Sequence, residues 1–152
     1  MVIRPAGSED EPFLREMQYE ALFVPPGAPP FAPEAVDDPG IRRYYAGFGS
    51  LPGDVGFVAE TERGPIGAVW ARLVQGYGFV DERTPEIGLA VVAAERGRGV
   101  GSALLSALVE VVPRCSLCVD MRNPARRLYR RFDFVEVRRD GEFASVMLRE
   151  PL

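Results

Sequence analysis

The stretch Arg96-Gly97-Arg98-Gly99-Val100-Gly101-Ser102 constrains this 152-residue chain more than any other. It follows a short apolar run, Ile87-Gly88-Leu89-Ala90-Val91-Val92, which reads as a buried strand. After it, apolar residues at 104, 105, 108, 111 and 112 have helical spacing. A glycine-rich, doubly cationic turn therefore joins a strand to the first turn of a helix. Such a turn suits an anion. The first amides of a helix have no intrahelical partner, and the aligned peptide dipoles place about half a positive charge there. Glycines at alternate positions let a phosphate approach the backbone. Arg96 and Arg98 add charge, and a hydrogen bond to a charged group contributes about 1.5–3 kcal/mol.

Three phosphate-binding signatures compete for this turn. A Walker A loop ends in Gly-Lys-Ser/Thr, and the chain contains no lysine. The dinucleotide fingerprint G-x-G-x-x-G fails from Gly97, where the third glycine would be Ser102, and from Gly99, where it would be Leu104. The pattern that fits is [Gln/Arg]-x-x-Gly-x-[Gly/Ala], met by Arg96, Gly99 and Gly101. It resembles the acetyl-CoA pyrophosphate loop of the GCN5-related N-acetyltransferase (GNAT) family. A second resemblance lies downstream of the predicted strand 116–120. There Asn123, Ala125, Leu128, Tyr129 and Phe134 are similar to the family motif N-x-A-x-x-L-Y-x-x-x-G-F. Two motifs in the family's order cover roughly the C-terminal half. The usual glycine of the second motif is Asp133 here, and Asp tolerates a positive φ better than most residues.

Composition bounds the rest. At this length one domain, 1–152, with a sizeable core is expected, and 47% hydrophobic with 26% charged residues is ordinary for a soluble protein. No apolar run approaches the ~18 residues of a membrane span. The N-terminus does not read as a signal peptide, so the expected setting is cytoplasmic. With no histidine and no lysine, Ser-His-Asp and Cys-His catalysis, histidine-ligated metals and lysine Schiff bases are excluded. The net charge of −4 argues against a general nucleic-acid binder. Cys115 and Cys118 form a C-x-x-C pair within a predicted strand, where an offset of three points to opposite faces. No metal site is expected.

Read along the chain, the element order is β-α-α-β-β-β-α-β-α-β-β. The first strand is 2–4. A capping box at Ser8-Glu9-Asp10-Glu11 opens a helix to about residue 22. A proline-rich segment, 23–40, follows, with a helical stretch beginning near Pro33. Arg42–Ala46 reads as another short helix, stopped by Gly47 and Gly49. Strands at 55–60 and 66–73 form a hairpin, and the strand 86–92 leads into the phosphate loop. Pro113 ends the long helix, Asn123 with Pro124 opens the next, and two strands near 135–138 and 143–148 close the chain. The same order is that of the α/β (α+β) acetyltransferase fold: a mixed, mostly antiparallel sheet splayed between its fourth and fifth strands and flanked by helices.

The resemblance implies direct transfer of an acetyl group from acetyl-CoA to an amine of a small molecule or peptide. An ammonium with a pKa near 10 must first lose a proton. The thioester oxygen gains charge and needs donors, and the departing thiolate benefits from a proton. For the donors it points to backbone amides at Leu89, Ala90 and Val91, where the strand bulges. For the acid it points to Tyr129. Arg96, Gly97, Arg98, Gly99, Val100, Gly101 and Ser102 would hold the diphosphate, with Asn123, Ala125 and Tyr129 along the pantetheine arm. Glu86, at the start of the strand, is the best single candidate for the base, with Asp81 and Glu82 as rivals. The lid candidates are Phe23, Pro25, Pro26 and Phe31. Glu34, Asp37, Asp38, Asp81 and Glu82 would favour a cationic amine if they face the site. Arg126, Arg127, Arg130 and Arg131 read as a solvated helix face that also reaches the CoA 3′-phosphate. Another acyl group, an oxygen acceptor, a non-catalytic acyl-CoA module and a homodimer all stay open.

Overall fold

The computed structural model describes residues 1–151. Seven strands form one sheet, in the order β1-β2-β3-β4-β5-β7-β6: β1 (Val2–Pro5), β2 (Val55–Thr61), β3 (Gly64–Arg72), β4 (Glu86–Val91), β5 (Cys115–Asp120), β6 (Val135–Asp140) and β7 (Ala144–Arg149). The helices are α1 (Glu11–Glu20), α2 (Pro39–Arg42), α3 (Val100–Val111) and α4 (Arg126–Arg131). The expected element order holds throughout.

All neighbouring strands are antiparallel except β4 and β5, which are parallel and paired only at Glu86 and Ser116. Beyond that pair the two strands part. The sheet is a mixed one, splayed where expected, with helices on both faces. β3 is buried along nearly its whole length, as a central strand covered twice must be. On one face Leu104, Leu105 and Leu108 of α3 and Tyr129 of α4 pack over Val69, Ile87, Leu117 and Met147. On the other, Leu14 and Met17 of α1 join Val36, Tyr45 and Phe48 over Val58, Ala68, Trp70 and Ala90. Cys115 is buried on the first face, whereas Cys118 is exposed, so the offset of three does separate the two thiols.

Two boundaries in the N-terminal half differ from expectation. The expected capping box at Ser8-Glu9-Asp10-Glu11 does not form: Gly7, with no side chain to complete a box, caps a 3₁₀ turn, and α1 is capped at Asp10. The Gly7 amide donates to Asp10 Oδ2 at 2.8 Å, and Ser8–Asp10 form a 3₁₀ turn ahead of the helix. Arg4 also grips Asp10, at 2.8 and 3.0 Å, which holds its carboxylate against the Gly7 amide. The short helix expected at Arg42–Ala46 lies earlier, at Pro39–Arg42. Asp38 accepts the Gly40 amide at 2.8 Å and Pro39 supplies a preset first-turn φ, so residues 43–49 are left to turns.

Asp133 is the one non-glycine residue with positive φ, at 70°, among the described residues, and its carboxylate makes no hydrogen bond there. It stands where the family motif has glycine. Asp133→Gly should relieve that strain and raise stability by about 0.5–1 kcal/mol, or roughly 1–4 °C in Tm for a domain of this size. A thermal melt that moves downward would show that the aspartate side chain matters instead.

Candidate active site

The loop between β4 and α3 stands open. Gly97 and Gly99 have φ of 77° and 82°, and nothing lies within 4 Å of where a Cβ would sit on either. Gly99 caps α3 without a side chain, and the first bond of the helix runs from the Ala103 amide to Gly99 O at 3.0 Å. Among the described residues, none of the amides from Gly97 to Ser102 has a hydrogen-bond partner. Gly101 ties this loop to its surroundings. A Cβ there would lie 3.5 Å from Leu128 Cδ2 and 4.0 Å from Val91 Cγ2, so the helix start, α4 and the end of β4 meet at one place.

The two arginines of the loop divide. Arg96 Nε donates to Val91 O at 2.9 Å and its Nη2 pairs with Glu20 at 3.0 Å. Its guanidinium fastens the loop to β4 and α1. Arg98 is largely exposed, with a single ion pair to Glu95 at 3.4 Å, and is the cation left facing solvent.

β4 supplies a second set of free donors, though not by a bulge. Its register with β3 runs unbroken from Gly67↔Val91 to Arg72↔Glu86. Val92 N–H donates to Ile66 O at 2.8 Å. In an antiparallel pair, hydrogen-bonded and non-bonded positions alternate, so Ala90 and Gly88 turn their amides to β3 while Leu89 and Val91 turn theirs away. The same parity puts Pro85 O towards β5, where it accepts from Ser116 N–H at 2.9 Å. Because β5 has already diverged, the amides of Leu89 and Val91 open into the splay. The expected bulge is therefore corrected to plain alternation beside a missing neighbour, and Ala90 contributes no amide to the gap.

Tyr129 lies on α4 next to Leu128. It is 8% exposed and meets the Phe134 ring edge-on, with centroids 5.7 Å apart. Its hydroxyl has no hydrogen-bond partner among the described residues, and burial pushes its pKa up to about 12. Asn123 Oδ1 accepts the Ala125 amide at 2.9 Å. A tight i→i+3 turn from Asn123 to Arg126 (3.2 Å) then leads into α4, which is capped at Ala125 rather than at Asn123. Asn123 is thus a turn former, with its amide nitrogen uncommitted. Of the basic residues on α4, Arg127, Arg130 and Arg131 are exposed and Arg126 is half-buried.

Glu86 is 2% exposed. Its Oε1 accepts from Tyr44 Oη at 2.8 Å and from Gly78 N–H at 2.8 Å, and Oε2 accepts from Gly76 N–H at 2.7 Å. Tyr44 Oη in turn accepts from Tyr77 N–H at 2.7 Å, and burial, then the charge of Glu86, push its pKa well up. The loop carrying Gly78 lies directly on β5. A Cβ at that position would fall 2.6 Å from the Leu117 carbonyl carbon, which only glycine avoids. Ser116 Oγ fastens the loop by donating to Gly78 O at 2.7 Å.

Arg72 anchors the other side. It forms a buried fork with Asp54 at 3.0 and 2.9 Å and donates to Arg43 O at 3.1 Å. Trp70 Nε1 donates to Tyr44 O at 3.0 Å. The Arg43–Tyr44 backbone is therefore fixed on β3. Asp81, a rival base, is held by the Thr84 hydroxyl at 2.8 Å, the Arg83 amide at 2.9 Å and Arg114 at 3.0 Å. Those contacts, the Thr84 hydroxyl foremost, keep its carboxyl below the usual range. Glu82 is exposed. The lid candidates lie in an irregular segment where Tyr19 Oη reaches Phe31 O at 2.5 Å.

A family model described as Acetyltransferase (GNAT) domain matches residues 52–136, more than half of the chain. The chain belongs to this family. The matched span includes the loop 97–102, the splayed strand and Tyr129. Solved acetyltransferase structures share the whole fold. An acetyltransferase from Thermus thermophilus superposes with a TM-score of 0.67 at 20% identity, covering 98% of this chain and 97% of that one. The GNAT domain of S. lividans PAT gives 0.66 at 21% identity, with 96% and 88% covered. The PaiA N-acetyltransferase of Thermoplasma acidophilum, a structure in complex with coenzyme A, gives 0.65 at 16% identity, with 99% and 100% covered. No curated protein matches the sequence. Among the described residues, no helix of this GNAT domain is long and apolar enough to cross a membrane.

Proposed function

We propose that this GNAT domain transfers an acetyl group from acetyl-CoA directly to an amine. The observation that carries this reading is the set of free donors: six successive unpartnered amides at 97–102 and two more, Leu89 and Val91, turned into the splay. A diphosphate matches the first set, because it needs several donors converging at a positive helix end. A carbonyl and its developing negative charge match the second. Acetyl-CoA, when bound, supplies the activated acetyl thioester. The residues do the rest. Arg98 and the loop amides hold the diphosphate, the Asn123 amide nitrogen faces the arm, and Tyr129 keeps a proton at its unpartnered Oη for the departing sulfur.

The proton of the acceptor ammonium goes to Glu86. The carboxylate is sealed from direct contact, so Tyr44 relays the proton. The ammonium gives a proton to Tyr44 Oη as Tyr44 gives its own to Glu86 Oε1, leaving a free amine, neutral tyrosine and neutral glutamic acid. Tyr44→Phe should cut kcat about 100-fold or more and change the pH–rate profile, while the acetyl-CoA affinity stays put. An unaltered profile in that variant would remove Tyr44 and Glu86 from the relay. Glu86→Gln is a poorer probe, because an NH₂ would face a Gly amide or the Tyr44 hydroxyl, and an unmade buried hydrogen bond costs about 1–3 kcal/mol. The overall reading is tested by free-thiol release from acetyl-, propionyl- and succinyl-CoA across an amine panel. Faster release from propionyl- or succinyl-CoA would replace the acetyl assignment, and binding without any release would make the domain an acyl-CoA sensor.

A further inference from the structure

Building on the acetyl-transfer reading, we infer that Arg43 recognises an anionic group, a carboxylate or phosphate, on the amine acceptor. The acidic residues that would have drawn a cationic acceptor are mostly engaged. Asp37 pairs with Arg15 at 2.9 Å, Asp38 caps the Gly40 amide, and Asp81 is held by Thr84, Arg83 and Arg114. Arg43 is the reverse case. It is half-buried, yet it has no carboxylate partner among the described residues. Its guanidinium lies over the Tyr77 ring at 5.0 Å and the Tyr44 ring at 5.7 Å. Nη1 donates to Gln75 O at 2.8 Å, Nε is buried without a partner, and Nη2 makes no hydrogen bond.

A buried donor left unmade is costly and calls for an explanation. Arg126 on α4 shares the buried, unpartnered Nε, but the other deeply placed arginines are matched. Arg72 forks onto Asp54, and Arg4 pairs with Asp10 and Glu60. Arg43 alone combines a fixed backbone, two ring faces and an uncompensated charge. Guanidinium matches planar anions through paired donors, and a side chain already held in place loses little entropy on binding.

Position supplies the rest. Arg43 grips Gln75, and the next residues of that loop, Gly76 and Gly78, hold Glu86. Its chain neighbour Tyr44 is the relay. An acceptor whose amine points at Tyr44 therefore has its remainder beside Arg43 and the Tyr77 ring, which is 53% exposed. Arg42, exposed and unpaired, adds a second positive charge at the rim.

The test offers matched amines with acetyl-CoA: glycine against glycinamide, glycylglycine against glycylglycinamide, and O-phosphoethanolamine against ethanolamine. Thiol release is compared at equal concentrations of free amine. The expected result is at least a tenfold higher kcat/KM for the anionic member of one pair, carried by KM. The amino-acid pairs and the phosphate pair tell which anion is meant. In Arg43→Gln that preference should collapse towards unity, and Arg43→Lys should restore part of it. Acetyl-CoA calorimetry and a thermal melt report that each variant is folded. Equal or reversed preference in the wild-type protein overturns the role of Arg43 and leaves acetyl transfer standing. Absence of release from every amine overturns both.

Discussion

Gly99→Val should weaken acetyl-CoA binding at least about 100-fold. A β-branched residue at φ of 82° is strained by about 1–3 kcal/mol. The backbone relieves the strain by rotating the very amides that face the diphosphate. Each hydrogen bond to a charged group contributes about 1.5–3 kcal/mol, so misdirecting two costs about 3 kcal/mol or more, and about 1.4 kcal/mol is tenfold. Gly141, in the β6–β7 turn, has a similar φ of 71° and equally open surroundings. Gly141→Val carries the same kind of strain in a different turn. It should lower Tm comparably yet leave the Kd of acetyl-CoA within about twofold. Equal Kd changes in the two variants would mean that strain, and not the loop's donors, governs binding.

Tyr129→Phe should lower kcat by roughly 10²–10⁴, the range for loss of a positioned proton donor, and at the same time leave the fold as stable. The two effects have one cause. The hydroxyl has no partner among the described residues and reaches solvent, so no contact within the protein depends on it. Phenylalanine keeps the ring and its edge contact with Phe134 and breaks no hydrogen bond of the protein. Reduced activity with an unchanged Tm is the signature of a group held for substrate. A variant with full turnover would make Tyr129 a packing residue. The raised pKa fixes the pH behaviour. A tyrosine that ionises near pH 10 when unfolded but at about 12 when folded lends its full stabilisation below about pH 10. That contribution is lost as pH climbs towards 12. Tyr129→Phe should remove this alkaline loss, and the wild-type protein should show no decline in kcat from Tyr129 at neutral or mildly alkaline pH.

Much of this was legible in the sequence because the signals are local. The loop at 96–102 places its glycines where positive φ is required, and the helix that follows has its apolar residues in phase. Asp133 marks a left-handed position by replacing a glycine of the motif. The Glu86 network was not legible. Its members come from Tyr44, 42 residues away in the chain, and from a Gly-Tyr-Gly turn with no periodicity. What identifies them is the absence of space: Gly78 lies flat on β5, and a Cβ on Gly76 would collide with the Tyr44 hydroxyl. Arg43 was invisible for the same reason, since only the fold reveals which guanidiniums lack a carboxylate. The free amides of β4 were expected from a bulge and arise from strand parity beside a divergent neighbour, a property of pairing that no single strand encodes.

The central claim is that the turn at 97–102 cradles a diphosphate. Calorimetric titration with acetyl-CoA and, separately, with S-acetylpantetheine, which carries the thioester and arm without the diphosphate, tests it most directly. The account predicts saturable binding of acetyl-CoA at least about 100-fold tighter than S-acetylpantetheine, with the difference narrowing in Gly99→Val. Equal affinities for the two, or no heat from acetyl-CoA with folded protein, would contradict it.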